Sequence, residues 1–203
     1  MWVRVPLPAP DTGVHMAWLL IIAGYLIGSL PTAYLAGRLL RGEDIRLLGD
    51  GNMGAGNAYH ALGARVGMTV GVIDAGKGAL AVYVAQASGM SSAVVLITGT
   101  AAVVGHNWPV FLGFRGGRGE STTIGVLTMI IPRPMLIMAA PTVLVLVITK
   151  KVPVASAVLF FPLSLLSWWF GASVPVILFS IVLPCLVGFT HLVKTRVKVF
   201  REA

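Results

Sequence analysis

Two glycine-rich stretches carry the residue types with the most chemical reach. The first, Gly49-Asp50-Gly51-Asn52-Met53-Gly54-Ala55-Gly56-Asn57, alternates glycine with Asn and Asp, residues that favour turns and left-handed backbone. Such a backbone can turn successive N–H groups into one concavity that holds an anion, or it can be a tight loop between helices. The second, Gly113-Phe114-Arg115-Gly116-Gly117-Arg118-Gly119-Glu120-Ser121-Thr122, sets two guanidinium forks among glycines that let a ligand reach the main chain. Ser121 or Thr122 is placed to cap the next helix, turning its positive dipole end to the same ligand. Arginines that merely mark one side of a membrane would explain the charges but not three glycines within four residues. The outline is a phosphate or carboxylate site, and it is not a P-loop, because no Gly-Lys-Ser/Thr closes either stretch.

Other polar residues interrupt apolar runs. Asp74 and Lys77 are three apart and share one helical face. Each costs about 2.5–3.5 kcal/mol at a membrane-helix centre, so they are expected to pair, either as a structural ion pair or with Lys77 also offering charge to an anionic headgroup. His106 and Asn107 end one run just before the second glycine stretch, and His191 ends the last run. A histidine there can cap a helix or move a proton. Cys185 is the single cysteine and excludes an intrachain disulfide framework, and no Cys/His spacing fits zinc.

The elements that must position these groups follow from composition. The 203 residues are 57% hydrophobic and 11% charged, with mean hydropathy +0.89. A soluble domain carries roughly a quarter charged residues, so the chain is expected in a bilayer. Its net charge of +8 then reads as topology rather than nucleic-acid binding. Residues 1–15, with Pro6, Pro8 and Pro10, lack the layout of a signal peptide and are expected to be a disordered leader, with Met1 or Met16 as the start. Spans need about 20 apolar residues, and they are expected at 17–40, 66–87, 93–110, 154–170 and 174–192. Two shorter helices, tilted or partly shielded, are expected at 121–131 and 135–149, split by Pro132-Arg133-Pro134. The expectation is an all-α membrane protein of about seven helices, one domain over 16–193 and a basic tail over 194–203. Arg38, Arg41, Arg46, Arg65, Arg115, Arg118, Lys150-Lys151 and the tail fall on one side and Arg4 and Arg133 on the other, which puts the amino terminus outside and both glycine stretches in the cytoplasm.

Four motifs stand in order along the chain: Gly28-Ser29-Leu30-Pro31-Thr32-Ala33-Tyr34, Gly51-Asn52-x-Gly54-Ala55-x-Asn57, Asp74-x-x-Lys77-Gly78, and Gly105-His106-x-x-Pro109-Val110-Phe111-x-x-Phe114-x-Gly116-Gly117. Together they resemble the bacterial PlsY family of integral-membrane acyl-phosphate:glycerol-3-phosphate acyltransferases. The resemblance implies seven helices in a bacterial cytoplasmic membrane and transfer of an acyl group from acyl phosphate to the 1-hydroxyl of glycerol 3-phosphate, giving lysophosphatidic acid. It implies no metal or dissociable cofactor. On it, the N–H groups of Gly51, Gly54 and Gly56 and the Arg118 fork would hold the acyl phosphate and its oxyanion. Asn52, Asn57, Lys77, Arg115 and His191 would hold the acceptor, with His106 or the leaving phosphate taking the proton. Gly116, Gly117, His60 and Lys194 stand at further phosphate-side positions.

The chain departs from the family pattern at several of these places. Asp50 replaces a serine and Gly56 a threonine, His60 an arginine, Arg118 a lysine, Glu120-Ser121 small residues, and Lys194 an asparagine. Asp50 is the sharpest departure, because two like charges about 4 Å apart repel by about 4 kcal/mol at an effective dielectric near 20, while a charge-assisted hydrogen bond returns about 1.5–3 kcal/mol. Asp50 must point away from the phosphate or pair with an arginine, or the acceptor differs. Acyl-CoA-type acyltransferases need His-x4-Asp, but Arg65, Phe111 and Arg196 stand five residues after His60, His106 and His191. A metal-dependent alcohol phosphotransferase needs several aspartates on one helix, and Asp74 has no such companions. A paralogue with another acceptor or weak activity, and a small anion transporter, are the remaining alternatives.

Overall fold

The computed structural model describes residues 10–202, with side chains described over 13–194. Among the described residues, ten α-helices run in order: α1 Pro10–Gly28, α2 Thr32–Arg41, α3 Ala55–Leu62, α4 Ala64–Ala87, α5 Ser92–Asn107, α6 Glu120–Ile130, α7 Pro132–Thr149, α8 Val152–Phe160, α9 Leu163–Trp169 and α10 Val174–Glu202. Short 3-10 turns cover Ile45–Leu47 and Val110–Leu112. Six stretches of the described residues are long and apolar enough to cross a membrane: Gly13–Arg41, Ala64–Ala87, Ser92–Leu112, Pro132–Thr149, Val152–Trp169 and Val174–Lys194. They correspond to six of the seven expected spans. The seventh, α6, has 11 residues, about 16 Å of rise, too short for a core of about 30 Å.

Local chemistry accounts for the differences from the expected boundaries. The first span is two helices, because Pro31 supplies no N–H and the chain turns at 29–31. Pro132 does not separate helices from within: it stands at the first position of α7, where a missing N–H costs nothing. The polar stretch after α2 holds a further helix, α3. Residues 1–9 of the expected leader lie outside the described residues, and α1 already includes 10–15. At the other end α10 runs on through the basic segment to Glu202.

Helices that carry the site approach one another closely. A Cβ at Gly105 would fall on the Tyr25 carbonyl and one at Gly28 on the Ala102 carbonyl, so α1 and α5 meet backbone to backbone. Gly78 and Gly125 do the same for α4 and α6 against Thr122 and Ala75, a membrane packing mode that depends on small residues. Val82, Val103, Val126, Leu127, Leu163 and Leu183 form the core between α4, α5, α6, α9 and α10. A second cluster, Ala33, Ile45, Met53, Ala58 and Val70, lies under the first glycine stretch. Outward-facing residues such as Leu39, Val72, Phe161 and Trp169 are 72–89% exposed, the surface a bilayer would cover.

Asp74 and Lys77, inside α4, are paired. Lys77 Nζ lies 2.8 Å from Asp74 Oδ1 and donates to the Leu30 carbonyl at 2.8 Å. That carbonyl belongs to the break between α1 and α2, so one ammonium serves both the buried carboxylate and a main chain that has left its helix.

Candidate active site

The first glycine stretch is folded by Asn57, in the first turn of α3. Its side chain is buried, with Oδ1 accepting from Asp50 N at 3.1 Å and Nδ2 facing the carbonyls of Ile45, Leu48 and Asn52 at 3.1, 3.0 and 2.9 Å. Gly51 N donates to Leu48 O at 3.0 Å, and Asn52 N to Asp50 Oδ1 at 3.0 Å. Upstream, the Asp44 carboxylate binds the Arg46 guanidinium at 2.6 Å, which holds that carboxyl below its usual range. The stretch is therefore a knot of internal hydrogen bonds rather than a row of free N–H groups. What it leaves open is the start of α3, which no side chain caps.

The second stretch is laid against the end of α5. Gly116 N donates to Asn107 O at 3.2 Å and Gly117 N to His106 O at 3.0 Å. A Cβ at Gly116 would fall on the His106 carbonyl and one at Gly117 on His106 Nε2, so these glycines are needed for close approach. Lys194 of α10 clamps the outside: its ammonium donates to Asn107 O at 2.8 Å, Gly116 O at 2.9 Å and Gly117 O. Three carbonyls take its three protons. Arg118 and Gly119 then lead into α6, whose N-cap is Gly119 at φ +85° rather than the expected Ser121 or Thr122.

The two stretches meet at a cavity of about 1300 Å³, where α5 and α7 end and α3, α6 and α8 begin. Arg118 Nη1 lies 3.2 Å from Asp50 Oδ2, and Thr190 of α10 donates to the Arg118 carbonyl at 3.0 Å. The uncapped starts of α3 and α6 both face this space, through Gly54, Ala55 and Gly56 and through Gly119, Glu120 and Ser121. Paired helix starts of this kind favour an anion. Asn52, His60, His106 and His191 also line it, and Ile124, Phe160, Phe161, Ile181 and Pro184 give it an apolar wall. His106 Nδ1 lies 3.8 Å from Asp74 Oδ1 and 3.4 Å from Lys77 Nζ. No group of three or more His, Cys, Asp or Glu among the described residues is placed to hold a metal ion.

Of the residues singled out in the sequence, Asp50, Asn52, Gly54, Gly56, His60, His106, Arg118 and His191 line the cavity, and Gly51, Lys77, Arg115, Gly116, Gly117 and Lys194 do not. Arg115 is exposed elsewhere. Asn57 touches the cavity, but its amide is committed to the loop. Gly51, Asn57, Lys77, Gly116, Gly117 and Lys194 place donors on partners within the chain. Sequence reading missed Asp74 as a lining residue, Glu120 as a cavity acid, and Ser156 of α8, which hydrogen-bonds Glu120 Oε1. Burial raises the Glu120 carboxyl, against the smaller effects of Ser156 and Arg118. Its glycine context hinted at Glu120, but nothing local marks Ser156.

The fold and this cavity define an all-helical, multi-pass membrane protein with an amphipathic, anion-directed site. The family model described as glycerol-3-phosphate acyltransferase matches residues 18–198. The chain belongs to that family. It is 51% identical over 181 residues to glycerol-3-phosphate acyltransferase 4 of Dehalococcoides mccartyi (strain ATCC BAA-2266 / KCTC 15142 / 195), covering 89% of this chain and 98% of that protein. It is 36% identical to glycerol-3-phosphate acyltransferase of Halalkalibacterium halodurans, covering 88% and 89%. Crystal structures of PlsY, an integral membrane glycerol 3-phosphate acyltransferase, superpose in the glycerol 3-phosphate form with TM-score 0.80 and 33% identity over 92% of each chain. The lysophosphatidic acid form gives 0.75 and 32%, over 87% of this chain and 88% of that one.

Proposed function

We propose that this chain transfers an acyl group from acyl phosphate to the 1-hydroxyl of glycerol 3-phosphate, releasing lysophosphatidic acid and inorganic phosphate. The observation that carries the reading is one cavity that joins a guanidinium and two uncapped helix starts to an apolar wall. A phosphate-bearing headgroup and an acyl chain need that combination. The solved relatives were captured with glycerol 3-phosphate and with lysophosphatidic acid, a substrate and the product of this reaction.

In the proposed step the hydroxyl oxygen attacks the acyl carbonyl carbon, the ester C–O bond forms, and the C–O bond to phosphate breaks. Arg118 and the main-chain N–H groups at the starts of α3 and α6 hold the phosphoryl oxygens and the developing oxyanion. Asn52, His60 and His191 face the acceptor. Acyl phosphate is already activated, so orientation does most of the work, and the hydroxyl proton passes to His106 or to the departing phosphate. Asn57, Lys77, Gly116, Gly117 and Lys194 act by holding this frame. The charge distribution supports an amino terminus outside and a site facing the cytoplasm of a bacterial inner membrane, with 16–193 as one transmembrane domain.

Purified protein given radiolabelled glycerol 3-phosphate with acyl phosphate or with acyl-CoA tests the donor. Labelled lysophosphatidic acid is expected with acyl phosphate. Product only with acyl-CoA, or none with either donor, would overturn the reading.

A further inference from the structure

The Arg118 guanidinium is already partnered by an anion from its own chain. Asp50 Oδ2 lies 3.2 Å from Arg118 Nη1, while Asp50 Oδ1 accepts the Asn52 N–H at 3.0 Å. The Asp50 backbone is pinned in turn, its N–H donating to Asn57 Oδ1 at 3.1 Å. One carboxylate thus takes a guanidinium N–H of the anion site and a loop N–H beside it, two donors that two oxygens of one phosphoryl group could also take. The charge balance points the same way. Asp50, Asp74 and Glu120 face the cavity against Arg118, Lys150 and Lys151. Lys150 and Lys151 belong to the turn before α8, so the Asp50 contact neutralises the cation at the loop junction.

We infer that Asp50 is an internal competitor for the substrate's phosphoryl group, occupying Arg118 and the Asn52 N–H until phosphate displaces it, and so sets the affinity of this enzyme for its phosphorylated substrates. This rests on the anion-site reading given above. The Asp50 side chain is 47% exposed, so it has room to leave toward solvent. The displacement costs an ion pair and keeps a like charge near the incoming phosphate. Half-exposure screens both effects.

Asp50→Asn keeps an oxygen for the Asn52 N–H and removes the charge, and Asp50→Ser shortens the side chain as well. Both are compared with the parent protein in detergent micelles by varying glycerol 3-phosphate and acyl phosphate separately, and by titrating inorganic phosphate calorimetrically. The expected result is a KM for at least one substrate lowered about tenfold, with inorganic phosphate bound tighter by a similar factor, about 1.4 kcal/mol. The change should fall on KM more than on kcat, and the substrate whose KM moves identifies the phosphoryl group that sits there. Unchanged or weakened phosphate binding in Asp50→Asn, with both KM values unchanged or raised, overturns the proposal. Should Asp50→Asn fail to fold, Asp50→Ser decides on the same readings. If none of the three proteins transfers an acyl group, the acyltransfer reading falls, and the ratio of phosphate affinities still decides for or against Asp50.

Discussion

Arg118 is the residue on which both glycine stretches converge, and its substitution separates charge from shape. Arg118→Ala should lower acyl transfer by about 10²-fold or more, the scale of losing one preorganised oxyanion donor, while Arg118→Lys keeps charge without the planar fork and should fall between. Initial rates with acyl phosphate check both. Asn57 belongs to a different class. Asn57→Ala strands the Asp50 N–H and loosens three carbonyl contacts, at about 1–3 kcal/mol for a buried polar group left unmade, and should appear as a lower Tm together with lost activity. Lys77→Met leaves Asp74 buried without its cation and should destabilise by about 3–5 kcal/mol, with Asp74→Asn in the same chain recovering much of the loss.

Between elements, the tie of interest joins α6 to α8 across the cavity through Glu120 and Ser156. Burial raises the Glu120 carboxyl in the folded protein. The folded state therefore binds more protons than the unfolded one between the ordinary carboxyl range and the raised value, and stability falls as pH rises through that window. Glu120→Gln keeps an oxygen for Ser156 and removes the titration. Melting curves across pH should show a flatter dependence for Glu120→Gln than for the parent. The hold of α10 on the second glycine stretch is tested by Lys194→Met, which frees three carbonyls. Faster proteolysis of the 113–119 stretch and a loss of activity are expected.

At the scale of the whole molecule, the cavity gathers residues from α3, α4, α5, α6, α8, α9 and α10 and from the loops before α3, α6 and α8. The polar end and the apolar wall are far apart in sequence, so the site exists only when the bundle is assembled. If the loop ends face the cytoplasm, a Cys185→Ala chain carrying Arg115→Cys should react with an impermeant maleimide in inside-out vesicles and not in intact cells. Labelling from the outside would reverse the orientation proposed above.

Much of this was legible in the chain itself. Apolar runs broken by charges and glycines predict about seven helical spans, because a bilayer tolerates few other ways to satisfy the backbone, and six stretches of the described residues have membrane length. The Asp74–Lys77 spacing predicts their pairing, since one helical turn brings them together. The 121–131 run is a short helix as expected, while the Ser29–Pro31 break was not legible, because Pro effects at helix ends depend on what packs beside them. What the amino-acid order could not decide was which polar groups would remain available. Gly116, Gly117, Asn57 and Lys194 carry donors suited to phosphate, yet each spends them on main-chain partners supplied by other elements, up to 87 residues away in sequence. The sequence alone determined a helical membrane protein with two anion-suited loops; tertiary structure decided that Asp50 meets Arg118 and that an apolar wall from α8 and α10 closes on them, because hydrogen-bond partners and cavity walls come from packing rather than from neighbours along the chain.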